Sequence, residues 1–171
     1  PHTPTGPSAW VARHAALIAE PGPILDLAAG GGRHSRYFRD LGYQVTAVDR
    51  DVARLADLSG VEIIAADLED GSPWPLRGRH FAGVIVTNYL FRPILPQIAA
   101  SLGPGGVLLY ETFGVGQERY GKPRNPDHLL RPGELLDFAE RESLIVRGYF
   151  CSEENGPEPA VRQRIAAQRL P

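Results

Sequence analysis

Residues 24–33 read Ile24-Leu25-Asp26-Leu27-Ala28-Ala29-Gly30-Gly31-Gly32-Arg33, a short apolar run that leads directly into three consecutive glycines. An apolar run of this length, bounded by Pro23 and the glycines, predicts a strand buried on both faces, as in a parallel sheet. A helical pattern follows over residues 33–41. Glycine lets a ligand approach the backbone, and the free N–H groups of a helix N-terminus attract anions. We therefore expect a strand, a ligand-binding glycine loop and a helix.

Strands and helices alternate along the remaining sequence. The predicted strands are residues 24–28, 44–48, 61–66, 81–87, 107–113, 144–150 and 160–169. The predicted helices are residues 8–20, 33–41, 52–58, 94–102 and 132–142, the last with Pro132 at its start. This alternation predicts an α/β fold with a parallel sheet and right-handed crossovers. The two consecutive strands at the end predict an antiparallel pair at one edge.

Composition excludes several classes of protein. A chain of 171 residues with 43% hydrophobic and 22% charged residues predicts one globular domain over residues 1–171. A net charge of −2 does not exclude nucleic-acid binding but removes the simplest argument for it, a broad basic surface, and no apolar run is long enough for a membrane helix. The single Cys151 excludes an intrachain disulfide and a zinc ribbon. Since no signal-peptide pattern opens the sequence, we expect a cytoplasmic protein.

Two acidic residues close the strands that follow the glycine loop. Asp49 ends the second strand, where a carboxylate can accept both hydroxyls of a ribose. The alternative is a helix cap for the next segment, for which Asp51 is better placed. Asp67 ends the third strand and can accept a hydrogen bond from an exocyclic amine such as that of adenine. Its alternative is a solvated turn carboxylate.

The identity of the nucleotide rests on three further features. Residues 30–35 almost fit the G-x-G-x-x-G pattern of dinucleotide-binding proteins, with Ser35 in the last position, so NAD is permitted. Asp26, however, lies inside the first strand, where dinucleotide folds usually have apolar residues. Asp67 adds a second acid, and six or seven strands leave no room for a separate substrate domain. These features favour a cofactor other than NAD.

With these motifs the chain resembles the class I S-adenosylmethionine-dependent methyltransferases, and within them the small bacterial proteins near the tellurite-resistance methyltransferase group. The family's first motif, an acid followed by G-x-G-x-G, aligns with Asp26, Ala28, Gly30 and Gly32. The chain departs from it at Ala28, which replaces the first glycine and leaves less space near the methionine part of the cofactor.

The resemblance implies roles for residues at the cofactor S-adenosylmethionine. Asp49 would hold the ribose, Asp67 and the Leu68 backbone would contact adenine, and Asn88 and Tyr89 would lie beside the methionine and the reactive methyl. The residues expected to bind the cofactor are Asp26, Ala28, Gly30, Gly32, Asp49, Arg50, Asp67, Leu68 and Asn88.

The resemblance also implies a fold. It is a Rossmann-like, doubly wound α/β sheet of seven strands in the order 3-2-1-4-5-7-6, with strand 7 antiparallel. Residues 102–106 match the family's Pro-Gly-Gly turn before the fifth strand. Independently of the resemblance, the residues predict an amino-terminal helix and linker over 1–23 and a lid over 114–131, a long segment with several Gly and Pro residues and little periodicity. The alternative for residues 114–131 is a flexible solvated loop.

Methyl transfer from a sulfonium is an in-line displacement in which the protein supplies positioning and electrostatics. Tyr89 and Arg92 are the candidate catalytic residues on the substrate side, because an Arg at the end of the fourth strand can clamp a carboxylate or oxyanion. The alternative for Arg92 is a surface residue that starts a helix. Further candidates for the substrate face are Glu111, Tyr120 and Arg124. The alternative for Glu111 is a turn carboxylate that pairs with an arginine.

The other singled-out residues carry weaker expectations. The cations of the lid favour an anionic substrate, and they are Arg119, Lys122, Arg124 and Arg131. Trp10 and Arg13 either cover the cofactor or simply pack. His34 and His128 are poor candidates for catalysis, and Cys151 is expected to be a small buried residue. No metal site is expected.

Three functions remain open on the sequence. The preferred one is methyl transfer from S-adenosylmethionine to a small-molecule nucleophile, by a monomer or a homodimer that binds neither nucleic acid nor membrane. The first alternative is an enzyme that binds NAD or another nucleotide. The second is a module that binds S-adenosylmethionine without turnover.

Overall fold

Seven strands form one mixed sheet in the computed structural model, which describes residues 5–171. The strands are β1 (Ile24–Leu27), β2 (Val45–Asp49), β3 (Val61–Ala65), β4 (Phe81–Thr87), β5 (Leu102–Phe113), β6 (Ile145–Glu154) and β7 (Ala160–Gln168). Their order is β3-β2-β1-β4-β5-β7-β6. Strands β1 to β5 run parallel to one another, and β7 is antiparallel to both β5 and β6. The predicted fold class, strand order and closing hairpin are confirmed.

Within residues 5–171, four α-helices cover the two faces of the sheet. They are α1 (Ala9–His14), α2 (Arg33–Asp40), α3 (Leu95–Ala100) and α4 (Glu134–Arg141). Apolar residues of α1 and α2 pack with β1, β4 and β5 on one face, where Phe38 and Val11 are fully buried. Residues of α3 and α4 form the core on the other face, with Ile98 and Phe138 at its centre. Burial on both faces explains why the central strands are almost continuously apolar.

Local geometry changes several of the predicted boundaries. The helix expected over residues 52–58 is only a 3₁₀ turn (Ala53–Leu55), and that over residues 8–20 ends as an α-helix at His14. The last helix starts at Glu134 rather than Pro132, because Gly133 with φ of 79° forms its N-cap. Residues 102–106 belong to β5 and contain a bulge, which Gly106 permits because a Cβ there would lie 2.8 Å from the Phe81 carbonyl oxygen.

The lid segment, residues 114–131, is attached to the sheet at both ends. Gly114 bridges to Leu130, and the Gly114 N–H donates to the Val161 carbonyl of β7. The Gln117 side chain accepts from the Val161 N–H at 2.9 Å. The segment is therefore fixed at the carboxyl end of β5, beside the first residues of β7.

A membrane-spanning helix does not occur between residues 5 and 171, where every helix is too short or too polar to cross a bilayer.

Candidate functional site

The glycine loop connects β1 to α2 through a series of left-handed residues. Ala28, Gly30 and Gly32 have φ angles of 55°, 57° and 79°. Gly30 donates its N–H to the Asp49 carboxylate at 2.8 Å, so the loop is fastened to the end of β2. Ala28 takes the left-handed conformation that glycine adopts without strain, and the departure from the family motif therefore carries a conformational cost.

Close packing requires glycine at position 32 but not at position 30. Alanine should therefore lower the free energy of unfolding more at Gly32 than at Gly30. A Cβ at Gly32 would lie 2.7 Å from Cδ2 of the buried Leu55, whereas one at Gly30 would lie 3.4 Å from the Arg54 guanidinium. Both substitutions carry the left-handed cost of about 1–2 kcal/mol. Overpacking should make Gly32→Ala destabilising by about 1–2 kcal/mol beyond Gly30→Ala, measured by urea denaturation. Equal losses would contradict a packing role for Gly32.

The ends of β2 and β3 form a small acidic cleft of about 190 Å³. The acidic cleft is lined by Ala28, Asp49, Arg50, Ala66, Asp67, Leu68, Glu69 and Tyr89. The Asp49 carboxylate also accepts from the Asp51 N–H, and the Asp67 carboxylate accepts from the Glu69 N–H, both at 2.9 Å. Asp51 in turn caps the next turn through the Ala53 N–H. The predicted ribose and adenine residues thus lie together in one cleft, and Asp51 takes the capping role.

A second hollow, the loop cavity, lies along the other side of the glycine loop and has a volume of about 290 Å³. The loop cavity is lined by Ala28, Ala29, Gly30, Gly31, Arg33, Arg36, Arg54, Thr87 and Asn88. It meets the acidic cleft at Ala28. The guanidinium of Arg54 lies close to the glycines, a position that no local sequence pattern predicts.

Asp26 lies beneath the glycine loop and not in the cavities described above. Its carboxylate is buried and accepts a hydrogen bond from the Ser35 hydroxyl at 2.6 Å, which joins β1 to the first turn of α2. Burial raises the pKa of Asp26 to about 7, against the opposing effect of the Ser35 hydrogen bond. The contact that the structure shows for Asp26 is therefore internal.

Asn88 follows β4 at the point where three hollows meet. Its φ of 54° is rare for a residue other than glycine, and such conformations cluster at functional sites. The side-chain oxygen accepts from the Arg162 guanidinium at 3.1 Å. Asn88 lines the loop cavity and two larger cavities described below.

Tyr89 separates the acidic cleft from the space under the lid segment. Its hydroxyl donates to the Glu69 carboxylate at 3.1 Å, and its backbone carbonyl accepts from the buried Tyr110 hydroxyl. Burial, together with the charge of Glu69, raises the pKa of Tyr89 well above its usual range. The phenol is therefore a neutral hydrogen-bonding group and a poor general base.

The Arg92 side chain, a predicted substrate clamp, is engaged by other residues of the chain. Its guanidinium forms a bidentate ion pair with Glu134 at 2.7 and 2.9 Å. The remaining N–H groups donate to backbone carbonyls of the lid segment, including that of Leu129 at 2.7 Å. Because its donors are already engaged, Arg92 fastens the lid segment to α4 instead of facing a substrate. Arg92 also starts the 3₁₀ turn Arg92–Ile94, as its alternative stated, and its ion-pair partner lies 42 residues away in the sequence, where no local pattern indicates it.

A cavity of about 420 Å³, the arginine cavity, opens between α1 and the last strands. Its charged residues are Arg13, Arg33, Glu111, Glu154, Arg162 and Arg164. Arg164 pairs with Glu111 at 2.7 Å and with Glu154 at 2.6 Å. Glu111 is therefore the partner of an arginine, as its alternative prediction stated. The Trp10 indole also lines this cavity, but its N–H donates a hydrogen bond to the Ile165 carbonyl.

The lid cavity lies between β4, β5 and the lid segment and has a volume of about 600 Å³. Its lining includes Asn88, Tyr89, Leu90 and Phe113 from the strand ends and Lys122, Pro123, Arg124 and His128 from the lid segment. The four predicted lid cations fall into two groups. Lys122 and Arg124 line the cavity, whereas Arg119 pairs with Glu153 and Arg131 with Glu134.

The remaining candidates of the sequence analysis lie apart from these hollows or have structural partners. His34 is buried, and its ring accepts a hydrogen bond from the Ser8 N–H, which ties α1 to α2. Burial lowers the pKa of His34 to about 4, so the ring is neutral. Tyr120 is exposed beside the Arg119 guanidinium. Cys151 was predicted to be buried but is exposed on β6, since this edge strand has one solvated face.

No metal site can be assembled from the part of the chain that the structure describes, because no three His, Cys, Asp or Glu side chains cluster there in the necessary way.

The amino-terminal part of the chain matches a known family. Residues 7–69 match the family described as tellurite resistance protein TehB. The chain is also similar to the crystal structure of TehB from Haemophilus influenzae, with a TM-score of 0.74 and 17% sequence identity. That likeness covers 94% of this chain and 61% of the other, so this chain spans less than two thirds of that protein's length.

Two further solved structures have the same architecture. A methyltransferase from Methanosarcina mazei has a TM-score of 0.72 and 18% identity, over 96% of this chain and 99% of that one. The 1,6-didemethyltoxoflavin-N1-methyltransferase from Burkholderia thailandensis, solved with 1,6-didemethyltoxoflavin and S-adenosylhomocysteine, has a TM-score of 0.69 and 20% identity. The similarity covers 95% of this chain and 77% of that one.

These similarities bear on the resemblance that the motifs indicate. None of the curated proteins compared with the chain matches it. The solved structures are all less than 25% identical, so they establish the architecture. The chain has the fold of the class I S-adenosylmethionine-dependent methyltransferases, and its resemblance to their tellurite-resistance group is confirmed.

Proposed function

We propose that the chain is an S-adenosylmethionine-dependent methyltransferase that acts on a small-molecule nucleophile. One observation carries this proposal. The Asp49 carboxylate holds the glycine loop where the acidic cleft and the loop cavity meet, and the lid cavity opens beside both at Asn88 and Tyr89. Methyl transfer requires an acceptor site beside the cofactor site, and these adjoining hollows can provide both.

The residues of the cleft fit the cofactor. A carboxylate has about four lone-pair sites, and Asp49 uses two of them for backbone N–H groups, which leaves capacity for ribose hydroxyls. Asp67 and Leu68 lie in the same cleft and would contact the adenine. The cations of the loop cavity, Arg33, Arg36 and Arg54, are suited to a carboxylate such as that of the methionine part.

The bound cofactor would supply an electrophilic methyl carbon on a sulfonium centre. The chain's own contribution is then position and exclusion of water, because a displacement between held groups gains roughly 7–11 kcal/mol from orientation. Asn88 and Tyr89 stand between the cofactor hollows and the lid cavity, so they would orient the acceptor. Neither is a general base, and the proposed mechanism suits an acceptor that is already nucleophilic.

The two alternatives differ in what they bind. An NAD-dependent enzyme would bind NADH and not S-adenosylhomocysteine, whereas a module without turnover would bind S-adenosylhomocysteine and transfer no methyl group. The neighbouring structure with S-adenosylhomocysteine bound supports the methyltransferase proposal over the first. The adjoining lid cavity supports it over the second, because a module without turnover has no need of an acceptor site.

Thermal unfolding with S-adenosylhomocysteine, beside NADH as the control, tests the proposal. A ligand at about 100 times its dissociation constant stabilises the folded state by about 2.7 kcal/mol. For a chain of this size the midpoint should rise by roughly 5–10 °C with S-adenosylhomocysteine and remain unchanged with NADH. A rise with NADH alone would contradict the proposal. Methyl transfer is then measured with thiols, amines, oxyanions and chalcogen anions as acceptors.

A further inference from the structure

The position of the lid cavity identifies it as the acceptor site. It shares Tyr89 with the acidic cleft, where the adenosine end is proposed to lie, and Asn88 with the loop cavity, where the methionine end is proposed to lie. The lid cavity therefore meets the cofactor hollows between their two ends. The arginine cavity meets them only through Arg33 and Asn88, on the methionine side.

The size of the lid cavity argues against a very small acceptor. Its volume of about 600 Å³ falls within the range of about 300–1,000 Å³ that is usual for sites of organic ligands. An inorganic oxyanion of four or five heavy atoms fills on the order of 100 Å³, about three times the volume that one molecule occupies in liquid water. Such an ion would leave most of the cavity to solvent.

The walls of the lid cavity are apolar near the strands and cationic at the rim. Leu90, Phe113 and Pro123 line this part of the cavity and make its wall apolar, while one face of the Phe113 ring is covered by the Arg162 guanidinium, 4.4 Å from the ring centroid. Lys122 and Arg124 lie on the exposed rim, and neither side chain forms an ion pair or a hydrogen bond with another residue of the stretch 5–171. The acid of the cavity, Glu69, already accepts the Tyr89 hydroxyl.

From these observations, and resting on the proposed methyl transfer, we infer that the acceptor is an organic anion with a flat or apolar body. The body lies against Leu90 and Phe113, and its anionic group is held by Lys122 and Arg124 at the rim. The lid segment, fastened to α4 through Arg92, then selects for both charge and apolar surface. An inorganic oxyanion satisfies only the first of these requirements.

The test is a calorimetric titration of 2-naphthoate into the chain saturated with S-adenosylhomocysteine. Two comparison ligands separate the requirements, because 2-naphthylmethanol keeps the flat body without the charge and sulfate keeps the charge without the body. We expect 2-naphthoate to bind at least tenfold more tightly than either. Binding of 2-naphthylmethanol or sulfate as tight as that of 2-naphthoate, or no binding of 2-naphthoate, would overturn the inference.

A pair of variants assigns the anionic group to the rim. The double variant Lys122→Gln/Arg124→Gln should bind 2-naphthoate about tenfold more weakly, or 1.4 kcal/mol. The matched control is Arg119→Gln, which removes a lid cation that pairs with Glu153 and does not line the lid cavity, and should bind within twofold of the unmodified chain. Both should keep the affinity for S-adenosylhomocysteine. Equal binding by the double variant would overturn the assignment.

These outcomes are distinguishable from failure of the proposed function. A chain that binds S-adenosylhomocysteine and not 2-naphthoate overturns the acceptor class alone. A chain that does not bind S-adenosylhomocysteine overturns the methyltransferase proposal, and the acceptor inference with it.

Discussion

Replacing Asp49 with alanine should weaken the binding of S-adenosylhomocysteine roughly a thousandfold, or about 4 kcal/mol. Two contributions lead to this value. The substitution removes the two hydrogen bonds that the carboxylate is proposed to make with the ribose, each worth about 1.5–3 kcal/mol when one partner is charged. It also releases the Gly30 N–H, which the Asp49 carboxylate accepts at 2.8 Å, so the glycine loop loses its attachment to β2. Isothermal titration calorimetry measures the effect.

Asp51→Ala is the matched control for Asp49→Ala. Asp51 is exposed two residues away, and its carboxylate caps the turn at Ala53 through a hydrogen bond of 3.0 Å. Loss of the cap should lower the free energy of unfolding by about 1 kcal/mol and leave the affinity within twofold. If Asp51→Ala weakens binding as much as Asp49→Ala, the effect is general destabilisation of this turn. If Asp49→Ala binds S-adenosylhomocysteine with unchanged affinity, the proposal that Asp49 binds the ribose is contradicted.

The sequence predicted the parts of the site whose position follows from strand ends. Asp49 ends β2 and Asp67 follows the end of the neighbouring parallel strand β3, and the carboxyl ends of such strands meet at one edge of the sheet. The strand order alone was therefore enough to predict that Asp49 and Asp67 lie in one cleft. The glycine loop was predictable for the same reason, because left-handed residues must join β1 to a helix that packs back on the sheet.

Contacts between distant segments were not predictable in this way. Arg92 follows β4, where it could have faced a substrate, and only the folded chain brings Glu134 against it. Arg54 likewise reaches the glycine loop from a 3₁₀ turn that no sequence pattern aims there. Arg162 and Arg164 did leave a signal, since residues two apart on a strand share a face, and both line the arginine cavity.

Asp26 gives the second large expected effect, a gain of stability in Asp26→Asn. In the unfolded chain this carboxyl has its usual pKa of 3.8, and burial beneath the glycine loop raises the pKa in the folded chain to about 7. Between these values the folded state keeps a proton that the unfolded state has lost. Stability from this group is therefore complete below about pH 4 and is lost as the pH rises towards 7.

The size of the effect follows from the two pKa values. A shift of one pKa unit corresponds to about 1.4 kcal/mol, so a rise of about three units costs the folded chain up to about 4 kcal/mol at pH 8. Asparagine has the same shape, can still accept the Ser35 hydroxyl, and cannot ionise. Asp26→Asn should therefore unfold at higher urea concentrations than the unmodified chain at pH 8, with a difference that diminishes towards pH 5.

The control for Asp26→Asn is Asp57→Asn, which removes an exposed carboxylate that makes no hydrogen bond or ion pair with residues 5–171. The stability of the Asp57→Asn variant should equal that of the unmodified chain at every pH. A loss of stability in Asp26→Asn at pH 8 would mean that the carboxylate is held ionised by groups around the glycine loop. The cost of burying Asp26 would then be compensated within the site, and its internal hydrogen bond with Ser35 would be a charged one. A gain confined to high pH instead means that ionisation of the buried Asp26 destabilises the folded chain, so that protonation of Asp26 and the stability of the fold around the glycine loop are linked.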